Sequence, residues 1–193
     1  MRPNGVEKQV RPSVPSWYTY SYDFTTWSIA DFSADWWTIP AEYSIDSTWL
    51  RCSDNWKNIE MDNITSLNDA LQTATTVEMK LVWSKSVSYC DYFLYMGNGS
   101  NDYCTIYWNG HNTSFSAGWT TLYNSNVNHS NTEFTSILSI NLSTWACEYS
   151  DTVGISWTWT IDNTAISNIL TSNKLRLSIN TDGKIKSMQV IVS

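Results

Sequence analysis

The segment Glu60-Met61-Asp62-Asn63-Ile64-Thr65 places two carboxylates two residues apart, and on a strand such a pair shares one face. Two carboxylates can divide the cleavage of a glycosidic bond, one attacking or activating water and one protonating the leaving oxygen. A carboxylate pair is also what a solvent-facing strand edge carries, and that reading is preferred. The other reactive groups do not assemble a second centre. His111 and His129 stand alone, and no HExxH, G-x-S-x-G or Gly-rich phosphate loop occurs. Cys52, Cys90, Cys104 and Cys147 are widely spaced and show no CxxC, whereas zinc needs clustered ligands; free buried thiols are expected. Met96–Asp102 is rich in oxygen ligands but holds one carboxylate, which is thin for calcium, so a hairpin is expected there. No catalytic residue, metal or cofactor is expected.

Aromatic side chains supply the other chemistry. The chain has 12 Trp, 11 Tyr and 5 Phe in 193 residues, against 11 Lys plus Arg. Surface wetness falls to 27 Ser, 22 Thr and 18 Asn, a task that charge normally performs. Aromatic faces beside amides and hydroxyls suit a sugar or protein contact as well as a β-sandwich core. Trp108, Asn109, His111 and Trp119 are placed on a loop rim by the Asn109-Gly110 turn, and form a candidate ligand surface. Trp36 and Trp37 are a second candidate, because neighbours on a strand point opposite ways and one must face out.

Net charge is −7, and no Lys or Arg lies between Lys85 and Lys174. Phosphate-backbone affinity comes from Lys and Arg, so nucleic acid is set aside. No apolar run is long enough to span a membrane. The first residues, MRPNGVEKQVRPSVPSW, lack the apolar core of a secretory signal. Residues 1–16 carry three prolines and a net +2 and are expected to form a docking arm outside the body at 17–193.

The elements that must position these groups read as strands. Val77, Met79, Leu81 and Trp83 alternate with polar residues, as do Phe134, Leu138, Ile140 and Leu142. Leu175, Leu177 and Ile179 are expected inward, with Lys174, Arg176 and Ser178 outward. Val153, Ile155, Trp157, Trp159 and Ile161 are expected to lie inside on one strand. Tyr92–Met96, Cys104–Trp108 and Met188–Val192 complete the set. Asn98-Gly99, Asn109-Gly110 and Asp182-Gly183 supply tight turns, with Asp162-Asn163 as a fourth. One helix is expected over Ser66–Ala74, capped by Ser66 with Asp69 three residues on. The whole reads as an all-β antiparallel sandwich with one short helix.

The order of elements resembles the concanavalin A-like, laminin G-type jelly roll. The resemblance rests on Phe32–Trp37 and Trp49-Leu50-Arg51 as opening strands, Thr76–Trp83 as a core strand, and Trp157–Thr164, Leu175–Ile179 and Gly183–Val190 as the closing elements. It implies a fold shared by lectins, carbohydrate-binding modules, adhesion and viral surface domains, and β-glucanases, so the fold chooses no function. The glucanase branch carries E-x-D-x-x-E. Here Thr65 stands at the third position, and a threonine cannot protonate a leaving sugar oxygen. The expected function is therefore a non-enzymatic surface protein of a virion, a phage head or tail, made in the host cytoplasm. It would attach by its arm to other virion proteins or to copies of itself as a homo-oligomer, and contact glycan or protein through surface aromatics. The alternative is an extracellular bacterial carbohydrate-binding module or lectin, with a glycoside hydrolase a weaker third.

Overall fold

A computed structural model of the chain describes residues 18–54, 57–85, 91–98, 101–109, 112–117, 120–125, 133–152, 154–161, 163–179 and 183–193. The arm at 1–16 and residues Cys90, His111, Trp119 and His129 lie outside these described residues, and so do the turn residues Gly99, Gly110, Asp162 and Asp182.

Alternating sequence becomes strand as expected. In chain order the elements are β1 (Tyr18–Asp23), α1 (Ile29–Ala34), β2 (Tyr43–Asp46), β3 (Trp49–Cys52), β4 (Asn58–Met61) and α2 (Thr65–Leu71). Then come β5 (Thr76–Lys85), β6 (Asp91–Asn98), β7 (Asn101–Asn109), β8 (Asn112–Ala117), β9 (Thr120–Ser125) and β10 (Glu133–Asn141). The chain ends with β11 (Ala146–Asp151), β12 (Ser156–Thr160), α3 (Asn163–Leu170), β13 (Lys174–Ile179) and β14 (Gly183–Val192). One sheet runs β12-β11-β10-β5-β14-β3-β2, with β1 also paired to β14; the second runs β4-β13-β6-β7-β8-β9. Every pair of named strands is antiparallel. Asn98 pairs with Asn101 and Asn109 with Asn112, so the strands that flank both expected Asn-Gly turns are antiparallel partners.

The inward faces of both sheets meet in one apolar cluster. It takes Val77, Met79, Leu81 and Trp83 from β5, Leu138 and Ile140 from β10, and Leu175, Leu177 and Ile179 from β13. Trp83 is 2% exposed, and its indole N–H donates to Ser136 Oγ at 3.0 Å. The Tyr149 hydroxyl donates to the same oxygen, so three buried polar groups satisfy one another within the core. Cys52, Cys104 and Cys147 are buried free thiols. Burial pushes the Cys147 thiol up to about 12 and raises Cys104 well above its ordinary value, because a thiolate loses its hydration there.

β14 pairs with β5 along its length but has two partners on its other edge. Lys184 and Ile185 pair with β3, and Ser187–Val192 pair with β1. A register shift between Ile185 and Ser187 marks the exchange, and the Lys186 carbonyl there accepts the Phe24 amide at 2.9 Å. Such a bulge bends the strand and redirects its pairing.

Four expectations about local structure need correction. First, Trp157 is 41% exposed. The predicted single strand through 153–161 is broken: β11 ends at Asp151, and Gly154 turns with φ 92° before β12 begins. Trp157 still shares a face with Tyr149 by register, but β12 is the outermost strand of its sheet, and no described strand pairs with it on the far side. Second, Phe32–Trp37 is not strand; Ile29–Ala34 is helical. Ser28 Oγ accepts the Asp31 amide and the Asp31 carboxylate accepts the Ser28 amide, a complete capping box. Third, Ser66 does not cap α2. The cap position is Ile64, with no side-chain hydrogen bond, and Ser66 instead donates to the Tyr18 hydroxyl at 3.0 Å. The apolar stripe Leu67, Ala70 and Leu71 is buried as expected. Fourth, residues after Asp162 form helix α3 in place of a tight turn, with Ala165 and Ile169 buried.

These differences reset the stability expectations. Trp83→Ala should cost about 3–5 kcal/mol, the range for emptying a large aromatic site. Trp157→Ala should cost under about 1.5 kcal/mol, because much of its surface is already wet. Urea unfolding of both variants checks the order; equal losses would contradict the placement of β12.

Candidate functional site

The aromatic residues at the start of the chain decide where a site can form. Tyr22, Phe24, Phe32 and Trp37 pack as a cluster. Trp37 lies edge-on to Tyr22 at 5.6 Å between ring centroids and 5.0 Å from Phe32. Trp37 is 3% exposed, whereas Trp36 is 81% exposed. The pair therefore splits, with Trp37 in the core and Trp36 in water; Trp37 is removed as a ligand contact.

Trp36 also carries backbone strain. It follows Asp35, the C-terminal cap of α1, and has φ 70°, a helix-end position that glycine normally fills. A side chain there costs about 1–2 kcal/mol. Trp145 adopts a similar conformation, φ 58°, but packs against the core. Trp36 has no comparable burial of its own; the packing next to it, at Trp37, holds the conformation.

Trp36 stands on the rim of a groove of about 330 Å³. The groove is lined by Tyr18 and Tyr20 of β1, by Asp62 and Asn63 between β4 and α2, by Thr65 at the start of α2, and by Asp35 next to Trp36 in the chain. Asn63 also has positive φ, 57°, which asparagine tolerates. Among the described residues the buried Tyr20 hydroxyl makes no hydrogen bond of normal geometry, at a cost of about 1–3 kcal/mol. The Tyr18 ring packs against the Tyr20 ring, with centroids 4.6 Å apart. Burial drives the Tyr20 phenol well above its ordinary range, so it stays a neutral hydroxyl. Asp35 accepts a short hydrogen bond from the Tyr22 hydroxyl. A second groove of about 380 Å³ shares Asn63 and Thr65 and continues past Asn68, Thr171 and Asn173.

The carboxylate pair lies alongside this groove. β4 is the outermost strand of its sheet, as expected, apart from one bridge between Glu60 and Thr38. The charges are not free in solvent, however. Lys174 Nζ lies 3.1 Å from Glu60 and 3.0 Å from Asp62, and Arg176 Nε lies 2.8 Å from the other Glu60 oxygen. The Arg176 guanidinium also sits 5.5 Å from the Tyr95 ring centroid. Lys174 and Ser178, expected outward, are 6% and 4% exposed. Lys174 is clamped between two carboxylates, and Ser178 donates to the Lys57 carbonyl at 3.1 Å. With both Glu60 oxygens committed to cations, the strand carries an ion network in place of a free acid and base.

Of the other sequence candidates, Trp108 and Asn109 fall in β7, paired with Tyr92 and Asp91. Their side chains, with all of His111 and Trp119, lie outside the described residues. Tyr18, Tyr20, Asp35 and Asn63 were missed by sequence reasoning. The one local signal was the Ser28-Ile29-Ala30-Asp31 capping box, which would have moved Asp35 and Trp36 from a strand to a helix end. Among the described residues no group of His, Cys, Asp and Glu could hold a metal ion, and no helix is long and apolar enough to cross a membrane.

No family model matches the chain, and no curated protein matches it in sequence. Solved structures match in fold. The endo-1,3-beta-glucanase of Streptomyces sioyaensis has a TM-score of 0.64 at 10% identity, over 94% of this chain and 98% of that one. The carbohydrate recognition domain of Emp46p has a TM-score of 0.58 at 8% identity, over 89% and 95%. Botulinum neurotoxin type C, whose cell entry depends on interaction with two ganglioside molecules, has a TM-score of 0.51 at 10% identity over 69% of this chain; the match spans 36% of the toxin chain. Likeness at such identities defines the fold. The fold is an antiparallel jelly-roll β-sandwich that these proteins share, as the order of its elements implied.

The ion network yields a direct test. Lys174→Met should destabilise by about 1–3 kcal/mol, below the full penalty for breaking a buried pair, because Asp62 is half exposed and Arg176 still serves Glu60. Chemical denaturation measures it; an unchanged midpoint would mean that the Lys174 clamp contributes nothing.

Proposed function

We propose that the chain is a non-enzymatic, lectin-like binding protein that holds a glycan in the groove at Trp36. The observation that carries this reading is an indole exposed to 81% on a left-handed backbone, at the rim of a groove lined by carboxylate, amide and hydroxyl groups. An aromatic plate beside convergent polar groups is the composition of a small-molecule site. The fold it shares with a carbohydrate recognition domain agrees with this assignment. The non-enzymatic part rests on Glu60, whose two oxygens are each held by a cation, and on Thr65 in place of a third carboxylate.

The setting is proposed from sequence. The basic, proline-containing segment 1–16 docks on other virion proteins or on copies of the chain, and the sandwich presents its grooves outward. A second contact surface is proposed at Trp108, Asn109, His111 and Trp119. In a bacterial setting the same groove makes the chain a carbohydrate-binding module.

A glycan array read with Trp36→Ala beside the parent chain tests the binding. Loss of signal in the variant is expected, with Trp108→Ala and Trp119→Ala reporting on the second surface. Signal that persists in all three would remove both surfaces. Turnover of a β-glucan that vanishes in Glu60→Gln would make the chain a hydrolase. Deleting residues 1–15 should leave the melting temperature unchanged and abolish assembly in size-exclusion chromatography.

A further inference from the structure

The groove at Trp36 has a charge and a shape that narrow its ligand, and the step that follows rests on the glycan-binding reading above. Asp35 and Asp62 line it, and among the described residues no Lys or Arg does. The adjacent cation, Lys174, is 8% exposed and already bridges Glu60 and Asp62. An anionic sugar entering here would meet two carboxylates and no uncommitted positive charge. Its own charge would be desolvated without compensation. A sugar hydroxyl, by contrast, donates to a carboxylate at no such cost, and a charge-assisted hydrogen bond is among the stronger ones.

The buried Tyr20 hydroxyl is an independent observation. It lines the same groove and makes no hydrogen bond of normal geometry among the described residues. Tyr18, half-buried beside the Tyr20 ring, accepts the Ser66 hydroxyl. A group that supplies Tyr20 with a partner gains the bond that the empty protein lacks, and a site with an unfilled buried polar group discriminates by that bond. Beyond Asn63 and Thr65, the second groove offers Asn68, Thr171 and Asn173, an amide and hydroxyl surface without charge. The two grooves share Asn63 and Thr65, so they are neighbours on the surface.

We infer that the site selects neutral oligosaccharides over sialylated, sulfated or uronic-acid glycans. Trp36 stacks the terminal sugar, the Tyr20 hydroxyl sets specificity once Tyr18 shifts aside, and the Asn63–Asn173 groove takes the next unit. Tyr20 then acts as a specificity residue: among the described residues its hydroxyl makes no hydrogen bond of normal geometry, and the Tyr18 and Ser66 hydroxyls near it bond to each other.

The test titrates the full chain by tryptophan fluorescence with neutral gluco- and galacto-oligosaccharides of one to four units, and with sialyllactose. Affinity should rise from one to two or more units, and sialyllactose should bind at least tenfold more weakly than lactose. Tyr20→Phe should lower affinity about tenfold, about 1.4 kcal/mol by the standard relation, and leave the melting temperature unchanged or higher. A structural hydroxyl would instead lower the melting temperature. Binding of neutral sugars that is indifferent to both Trp36→Ala and Tyr20→Phe would overturn this inference while leaving the glycan-binding reading intact. Preference for sialyllactose would overturn the charge argument. Absence of any sugar binding would overturn both.

Discussion

Burial of Trp37 is the constraint on which the site depends. Its indole closes the aromatic cluster of Tyr22, Phe24 and Phe32, and a residue of that size cannot leave the core without a large cavity. Trp37 in turn fixes the chain on both sides. Thr38 hydrogen-bonds to Glu60 across 2.7 Å and 3.1 Å, tying the segment to β4. Trp36, one residue back, is forced into a left-handed turn and out into solvent. Exposure of the indole is thus a result of packing next to it. The core bears the strain, and the surface receives an aromatic plate held in one place.

Scarcity of charge shapes the rest of the surface. The cations beside the carboxylate pair are committed, Lys174 to Glu60 and Asp62 and Arg176 to Glu60, and elsewhere Lys186 pairs with Glu133 at 2.9 Å. Wherever hydroxyls and amides must replace charge, they also form the walls of grooves. The composition that keeps the sandwich wet therefore also equips it to bind a polyhydroxylated ligand, with no separate set of residues required. A clamp of two carboxylates on one ammonium is a geometry in which each group holds another still, and it borders the groove at Asp62.

Alternation made the sandwich legible before any coordinates. The strands at Thr76–Lys85, Glu133–Asn141 and Lys174–Ile179 follow directly from it. Alternation reports which side chains share a face, not whether anything covers that face. Trp157 shows the gap: its register is inward, but its strand is at the margin of the sheet. Lys174 shows the reverse, a residue on the polar face that partners bury. The S-x-x-D pattern was used at Ser66, where the hydroxyl has another partner, and overlooked at Ser28, where the box forms. Which of Trp36 and Trp37 faces out was not legible, because it depends on a cluster assembled from three separate segments. The groove itself joins residues from β1, the end of α1 and the entry to α2, and no local pattern announces such a meeting.

The bulge at Lys186 has a consequence for how this protein can vary. On either side of it, β14 hands its edge first to β3 and then to β1. The excursion from Phe24 to Thr48, which carries Asp35 and Trp36, leaves from one of these strands and returns to the other. Both of its ends are thus anchored to a single neighbouring strand, while its interior adds only short β2 and one bridge to the ladders. Changes at its exposed positions, Trp36 among them, need not propagate into the sheets, whereas Phe32, Trp37 and Tyr43 fill the core and are fixed by it. The side chain at that rim can change while its frame does not, much as a fixed handle accepts different blades.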